Sequence, residues 1–318
     1  MSETEMQPYT QTKDGQAVLI NTPAYTPDDV ERAAESGADG LGLLSTDFMY
    51  LDRNNLPGEE ELYETFCRIS RKMGGRPVTI RLMQLPPSRI TAIKDAGLSD
   101  EYRGVRLGLA RPDMLLPQLR AFMRAGAAGN LRLLLPVVAD VSEVLRIKEM
   151  INDIHHELAG QNIPHVAMPE LGVEVEIPAA AVMAPVLAFE VAFFSISEKL
   201  IYNTLLLNNS HNLNGGLLHD YTPSFLFQIS HLAEEVRKRR KTVSVTAPLA
   251  GRMPAVPLLV AIGANELVMA PEQIEQAREI VSRLTMPRAK LVASKAMSFW
   301  SPNEIQRYAE ECLARLLK

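Results

Sequence analysis

Glu174 and Glu176 stand two residues apart in the run "GVEVEIPAAA", which is otherwise apolar and has strand character. On an extended chain that spacing sends both carboxylates out of the same face. Two acids on one side of a buried strand fit metal binding, acid–base catalysis or charge pairing with a basic neighbour. Arg81 in "VTIRLM" and Arg106 in "EYRGVR" are a candidate anion-binding pair, because guanidinium forks suit carboxylate and phosphate groups. The same arginines can instead satisfy backbone carbonyls, or Glu174 and Glu176 themselves. Lys199 in "SEKLI" has three readings: an ion pair with Glu176 or Glu174, a solvated ammonium at a strand end, or a desolvated amine that forms a Schiff base with a keto acid.

Such groups need strands to position them, and eight strand-like runs recur along the chain: "VLINT", "GLGLLS", "VTIRLM", "LRLLLPVV", "LGVEVE", "FFSIS", "VSVTA" and "ELVMA". Between most of them lie amphipathic stretches rich in helix formers, such as "PDDVERAAESG" and "SEVLRIKEMINDIHHELAG". Strict alternation calls for parallel pairing, and eight units of this length predict one closed (β/α)₈ barrel over residues 1–318, with a doubly wound open sheet as the alternative. Arg81, Glu176, Lys199 and Thr246 then fall near the C-terminal ends of their strands and converge on one mouth. Two insertions overhang that face. One carries "EYRGVRLGLARPDMLLPQLRAFMRAG", read as a loop excursion and a helix; the other is the polar "LLLNNSHNLNGGLLHDYTP". His211 and His219 in the second can contact a ligand but fix no metal geometry, and His155 and His156 read as a solvated helix face.

A net charge of −5 over 318 residues argues against a nucleic-acid footprint, and "RKRRK" at Arg237–Lys241 is too local to change that; it reads as the solvated end of a helix. Cys67 and Cys312 are far apart and form no CxxC pair, so neither a disulfide framework nor a zinc cluster is expected. The longest apolar runs are too short to span a bilayer, and the polar, acidic start is unlike a targeting peptide. The expectation is a cytoplasmic protein with a flexible N-terminus over residues 1–12.

The ordered blocks "GADGLGLLSTDFMYLDRNNLPGEEELYETF", "VTIRLM", "RGVRLGLARPDM", "LRLLLPVV", "GVEVEIPAAA" and "FFSIS" resemble the C-terminal barrel of the phosphoenolpyruvate (PEP)-utilising enzymes, above all enzyme I of the bacterial sugar phosphotransferase system. The resemblance runs from about Pro8 to the C-terminus. It implies that Arg81 and Arg106 match phosphate-gripping arginines and that Glu176 matches a magnesium-binding glutamate. The same frame places Ser45 where the family has another phosphate-binding arginine, Lys199 where it has an asparagine, and Leu200 where it has the second magnesium ligand, an aspartate. After Arg81, "MQLPPSR" replaces Met-Asp-Ile-Gly-Gly-Asp-Lys; Asn208, Asn209 and Ser210 stand at Val-Asp-Arg; and Thr246, Ala247 and Pro248 stand at Cys-Gly-Glu, whose cysteine is the family's enolate acid.

Phosphoryl transfer from PEP needs the metal, several cations and an acid together. Losing these as a set implies a degenerate homologue that senses a small anion such as PEP or pyruvate, or engages a protein partner, with no metal cofactor unless the magnesium site is compensated. The alternatives are a metal-independent keto-acid enzyme built on Lys199, Glu176 and Arg81, with Glu174 and Ser45 beside the ligand, and residual phosphotransfer with a separate histidine-bearing protein. The resemblance also implies a homodimer.

Overall fold

All eight apolar runs become strands in the computed structural model, which describes residues 10–93, 97–204 and 220–318. They are β2 (Ala17–Ala24), β3 (Leu41–Ser45), β4 (Val78–Arg81), β5 (Leu131–Leu135), β6 (Glu170–Val175), β7 (Phe193–Ser197), β8 (Thr242–Thr246) and β9 (Glu266–Val268), preceded by a short β1 (Thr10–Gln11). β2 to β9 pair in parallel in chain order, and β9 pairs back onto β2. That closure excludes the open sheet. Helices cover the outside and side chains fill the inside, which is why the strands read as continuous apolar runs.

Local chemistry sets the helix ends. Thr26 caps the helix Pro27–Glu35 with Asp29 completing a capping box, and Asp140 caps Val141–Gly160 with Glu143 in the same role. The first insertion holds two helices where one was expected, Val105–Ala110 and Pro112–Ala125. Proline denies the preceding residue a helical conformation, so the chain breaks at Arg111. The flexible-tail expectation also needs correcting for residues 10–12. Thr10 and Gln11 pair antiparallel with Val18 and Ala17, and Thr12 is buried. Residues 1–9 lie outside the described residues, as do His211, His219 and Asn208 to Ser210.

Inside the barrel, Leu43, Leu134 and Phe193 form a small apolar cluster of their own. Phe193 reaches the centre because Gly172 faces it: a Cβ there would lie 2.3 Å from the ring. Beneath this layer Arg132 donates to both oxygens of Glu266, at 2.6 and 2.8 Å, and to Thr79 Oγ1, while Asn21 Nδ2 donates to Glu266 Oε2 at 3.1 Å. Above it lies the mouth.

Candidate ligand site at the barrel mouth

Arg81 ends β4 with its side chain turned inward, as the alternation of a strand requires. Its guanidinium donates to Glu174 Oε1 at 3.3 Å, to Ser45 Oγ at 3.0 Å and to Asp47 Oδ2 at 3.0 Å. The Arg81 Nε has no partner among the described residues, although the residue is only 6% exposed. Burial alone would lower the Arg81 pKa, but Glu174, Asp47 and Glu176 outweigh it and hold the guanidinium above its ordinary range. For Glu174 the balance runs the other way. Burial, helped by the like charge of Glu176, overcomes the pull of Arg81 and Lys199 and pushes its carboxyl up to about 7.

Glu176 lies just past the end of β6 and is equally buried. Lys199, the first residue of the helix Lys199–Thr204, approaches Glu176 Oε1 at 3.1 Å and donates to Gln84 Oε1 at 2.5 Å. The Gln84 amide donates in turn to both Glu176 oxygens. Val137 N–H completes the set, donating to Glu176 Oε2 at 3.1 Å. To aim that N–H, Val137 takes φ 57°, a left-handed conformation that is an outlier for a β-branched residue. Gly104 packs against it: with φ 58° and a built Cβ only 2.8 Å from Pro136 O, this position admits no side chain. The glycine of "RGVR" thus serves Glu176 through Val137.

The two acids of the sequence reading therefore part company, Glu174 to Arg81 and Glu176 to Lys199. Arg106 joins neither. Its helix begins against β5, Val105 N–H donating to Pro136 O, and its side chain pairs with Glu143 at 2.7 Å on the exposed rim. The expected Arg81–Arg106 pair is not assembled, because the capping acid of a neighbouring helix takes Arg106 first. Thr246 Oγ1 lies 3.0 Å from Ser195 Oγ and borders a cavity of about 370 Å³ lined also by Tyr25, Glu198 and Arg252. Asp47 and Gln84 were missed as partners. Both stand inside quoted motifs, and the signal available was that each is a polar residue within two or three positions of a strand end.

Magnesium prefers near-octahedral oxygen ligation with one or two carboxylates. Glu176 is filled by three donors, one of them an ammonium, and Leu200 at the second ligand's frame is apolar and fully buried. Among the described residues no three His, Cys, Asp or Glu side chains are grouped to hold a metal. At these two positions the ion would meet one carboxylate, already engaged, and an apolar neighbour.

The raised pKa of Glu174 makes a pH prediction. Its proton is held more tightly folded than unfolded, so stability is greatest below the unfolded value near 4.5, declines as pH rises towards about 7, and levels off above it. The decline amounts to about 3 kcal/mol. Melting curves between acid and mildly alkaline pH should show it, and Glu174→Gln should flatten it. An unchanged pH profile in the variant would contradict the burial argument.

Residues 2–286 match the PEP-binding domain of PEP-utilising enzymes. The phosphoenolpyruvate-protein phosphotransferases of Geobacillus stearothermophilus and Staphylococcus epidermidis are each 32% identical to this chain, over 95% and 93% of it and 53% of their own lengths. The chain thus spans about half the length of these curated relatives. Among solved structures, Haloferax volcanii malate synthase in a ternary complex with pyruvate and acetyl-CoA superposes with a TM-score of 0.54 at 12% identity, covering 87% of this chain and 70% of that one. An HpcH/HpaI aldolase/citrate lyase family protein from Burkholderia cenocepacia gives 0.50 at 12%, covering 89% and 96%. At such identity these two bear on the fold alone.

Proposed function

The chain belongs to the PEP-utilising enzymes by their PEP-binding domain, and from that membership we propose that its barrel acts as a metal-independent binding or regulatory module rather than a magnesium-dependent phosphotransferase. The supporting observation is the closed network around Glu176, in which Gln84, Lys199 and Val137 N–H take the carboxylate that the family resemblance assigns to magnesium. The ligand class this reading favours is a small carboxylate-bearing anion such as PEP or pyruvate. Lys199 is the group to meet it, since its side chain is 37% exposed while that of Arg81 is only 7% exposed.

A Schiff-base role for Lys199 is disfavoured by the same geometry. An ammonium that donates to Gln84 and Glu176 has no free lone pair to attack a carbonyl. Residual phosphotransfer would need both a metal and a phosphorylatable acceptor.

Calorimetric titration of PEP, with and without magnesium, tests the reading. Magnesium is expected to leave the affinity within about twofold, and Lys199→Ala to weaken binding about tenfold, as loss of a charge-assisted contact does. Affinity that rises steeply with magnesium would sink the proposal in favour of phosphotransfer. Borohydride trapping of pyruvate on Lys199 would instead move it to keto-acid chemistry.

A further inference from the structure

The helix Pro178–Glu190 reads "PAAAVMAPVLAFE", with no polar side chain before Glu190. A helix that is apolar all round should be covered all round. Its inner side is covered, with Ala180, Ala184, Leu187 and Ala188 fully buried. Its outer side is not: Val182 is 72%, Val186 43% and Phe189 64% exposed, spaced four and three residues apart on one stripe. Phe227, 47% exposed, adds to it from the helix Pro223–Arg237, which packs alongside.

The basic run closes one end of this stripe. Arg239 lies over the Phe189 ring, 3.3 Å from its centroid, and its Nε donates to Pro185 O at 3.1 Å. Arg240 is exposed and sits at φ 57°, where Arg240 N–H bonds Arg237 O and Lys241 N–H bonds Val236 O. That is a Schellman turn with an arginine at the position glycine fills without strain. A strained cation at an apolar stripe is an outlier that points to use. The one acid on the apolar helix, Glu190, is already paired with Lys148 at 2.7 Å.

We propose that the stripe and its basic end dock one amphipathic helix of a partner protein, apolar on one face and acidic beside it. Size selects this occupant. Four side chains at about 150–200 Å² each expose roughly 400 Å², half of the ~800 Å² per copy that a standard dimer face buries, and enough for a helix laid lengthwise. The charge selects acid. The inference is independent of the barrel mouth, on which the functional reading rests.

The test is fluorescence anisotropy with the full chain and a labelled synthetic helix of about 18 residues, leucine-faced with glutamate flanks, beside a twin with lysine flanks. The acidic helix is expected to bind about tenfold or more tighter than its twin, and Phe189→Ser to weaken it by at least tenfold. Arg240→Gly is expected to weaken it severalfold while raising the melting temperature, so that lost binding is not lost folding. Equal affinity for both helices, no anisotropy change with the acidic one, or indifference to Phe189→Ser overturns the proposal. Light scattering that gives twice the chain mass, reduced to the single mass by Phe189→Ser, would overturn it in favour of a second copy. Sedimentation with anionic vesicles that depends on Phe189 would overturn it in favour of a lipid surface.

Discussion

Above about pH 8, Arg81→Met is expected to lower folding stability by about 3–5 kcal/mol, a fall in melting temperature of roughly 10 °C. The loss comes less from the missing bonds than from what they leave behind. Glu174 would stand fully buried with no cation of the described residues within hydrogen-bond reach, and Asp47 and Ser45 would lose their donor. Replacing both partners, in Arg81→Met with Glu174→Leu, should recover most of the loss, because a buried ion pair contributes little over an apolar pair of similar volume. The single variant should also suffer less at acid pH. Burial already holds the Glu174 pKa high, so its proton is cheaply gained once Arg81 is gone. A cost below about 1 kcal/mol above about pH 8 would show that Arg81 is not what compensates Glu174.

Arg132→Leu is expected to cost a similar amount, about 3–5 kcal/mol, at the other end of the barrel. Arg132 spans both oxygens of Glu266 and lies over the Phe193 ring with 4.6 Å to its centroid, so it is held in a flat, two-pronged geometry. Without it, Glu266 keeps, among the described residues, only Asn21 as a side-chain donor at 3.1 Å. Arg132→Lys should recover part of the loss and no more, since an ammonium reaches one oxygen well but offers no planar fork for both. Urea unfolding of the three proteins measures this. Full recovery by lysine would mean that charge alone matters and that the fork geometry does not.

The fold was legible because its signal is repetitive: eight apolar runs at regular spacing admit few topologies, and the closed parallel barrel is the simplest. The Lys199–Glu176 contact was legible too. Neighbouring strands bring their C-terminal ends together, so a lysine just after β7 and an acid just after β6 had to be close. The Arg106 pairing was not legible because residue type says what a guanidinium can bind, and only the packing of the helix Val105–Ala110 says which acid it meets first. Gln84 was hidden for a different reason. Set against the family pattern it looked like a lost aspartate, whereas in three dimensions it is the hub linking Lys199 to Glu176. The left-handed Val137 could not be read at all, since nothing local in "LPVVAD" asks for positive φ; the need comes from Glu176 across the barrel.

Arg132 and Glu266 escaped notice although each interrupts an apolar strand run, where a charge is rarely idle. Their place beneath Leu43, Leu134 and Phe193 has a wider consequence. The apolar layer parts the charges that hold the lower barrel together from those that line the mouth, so substitutions above and below it have few partners in common and their effects should nearly add. A lineage can then rewrite the upper groups one at a time while closure of the barrel rests on the lower ones. On such a scaffold a family's strands can stay recognisable long after its chemistry has begun to drift.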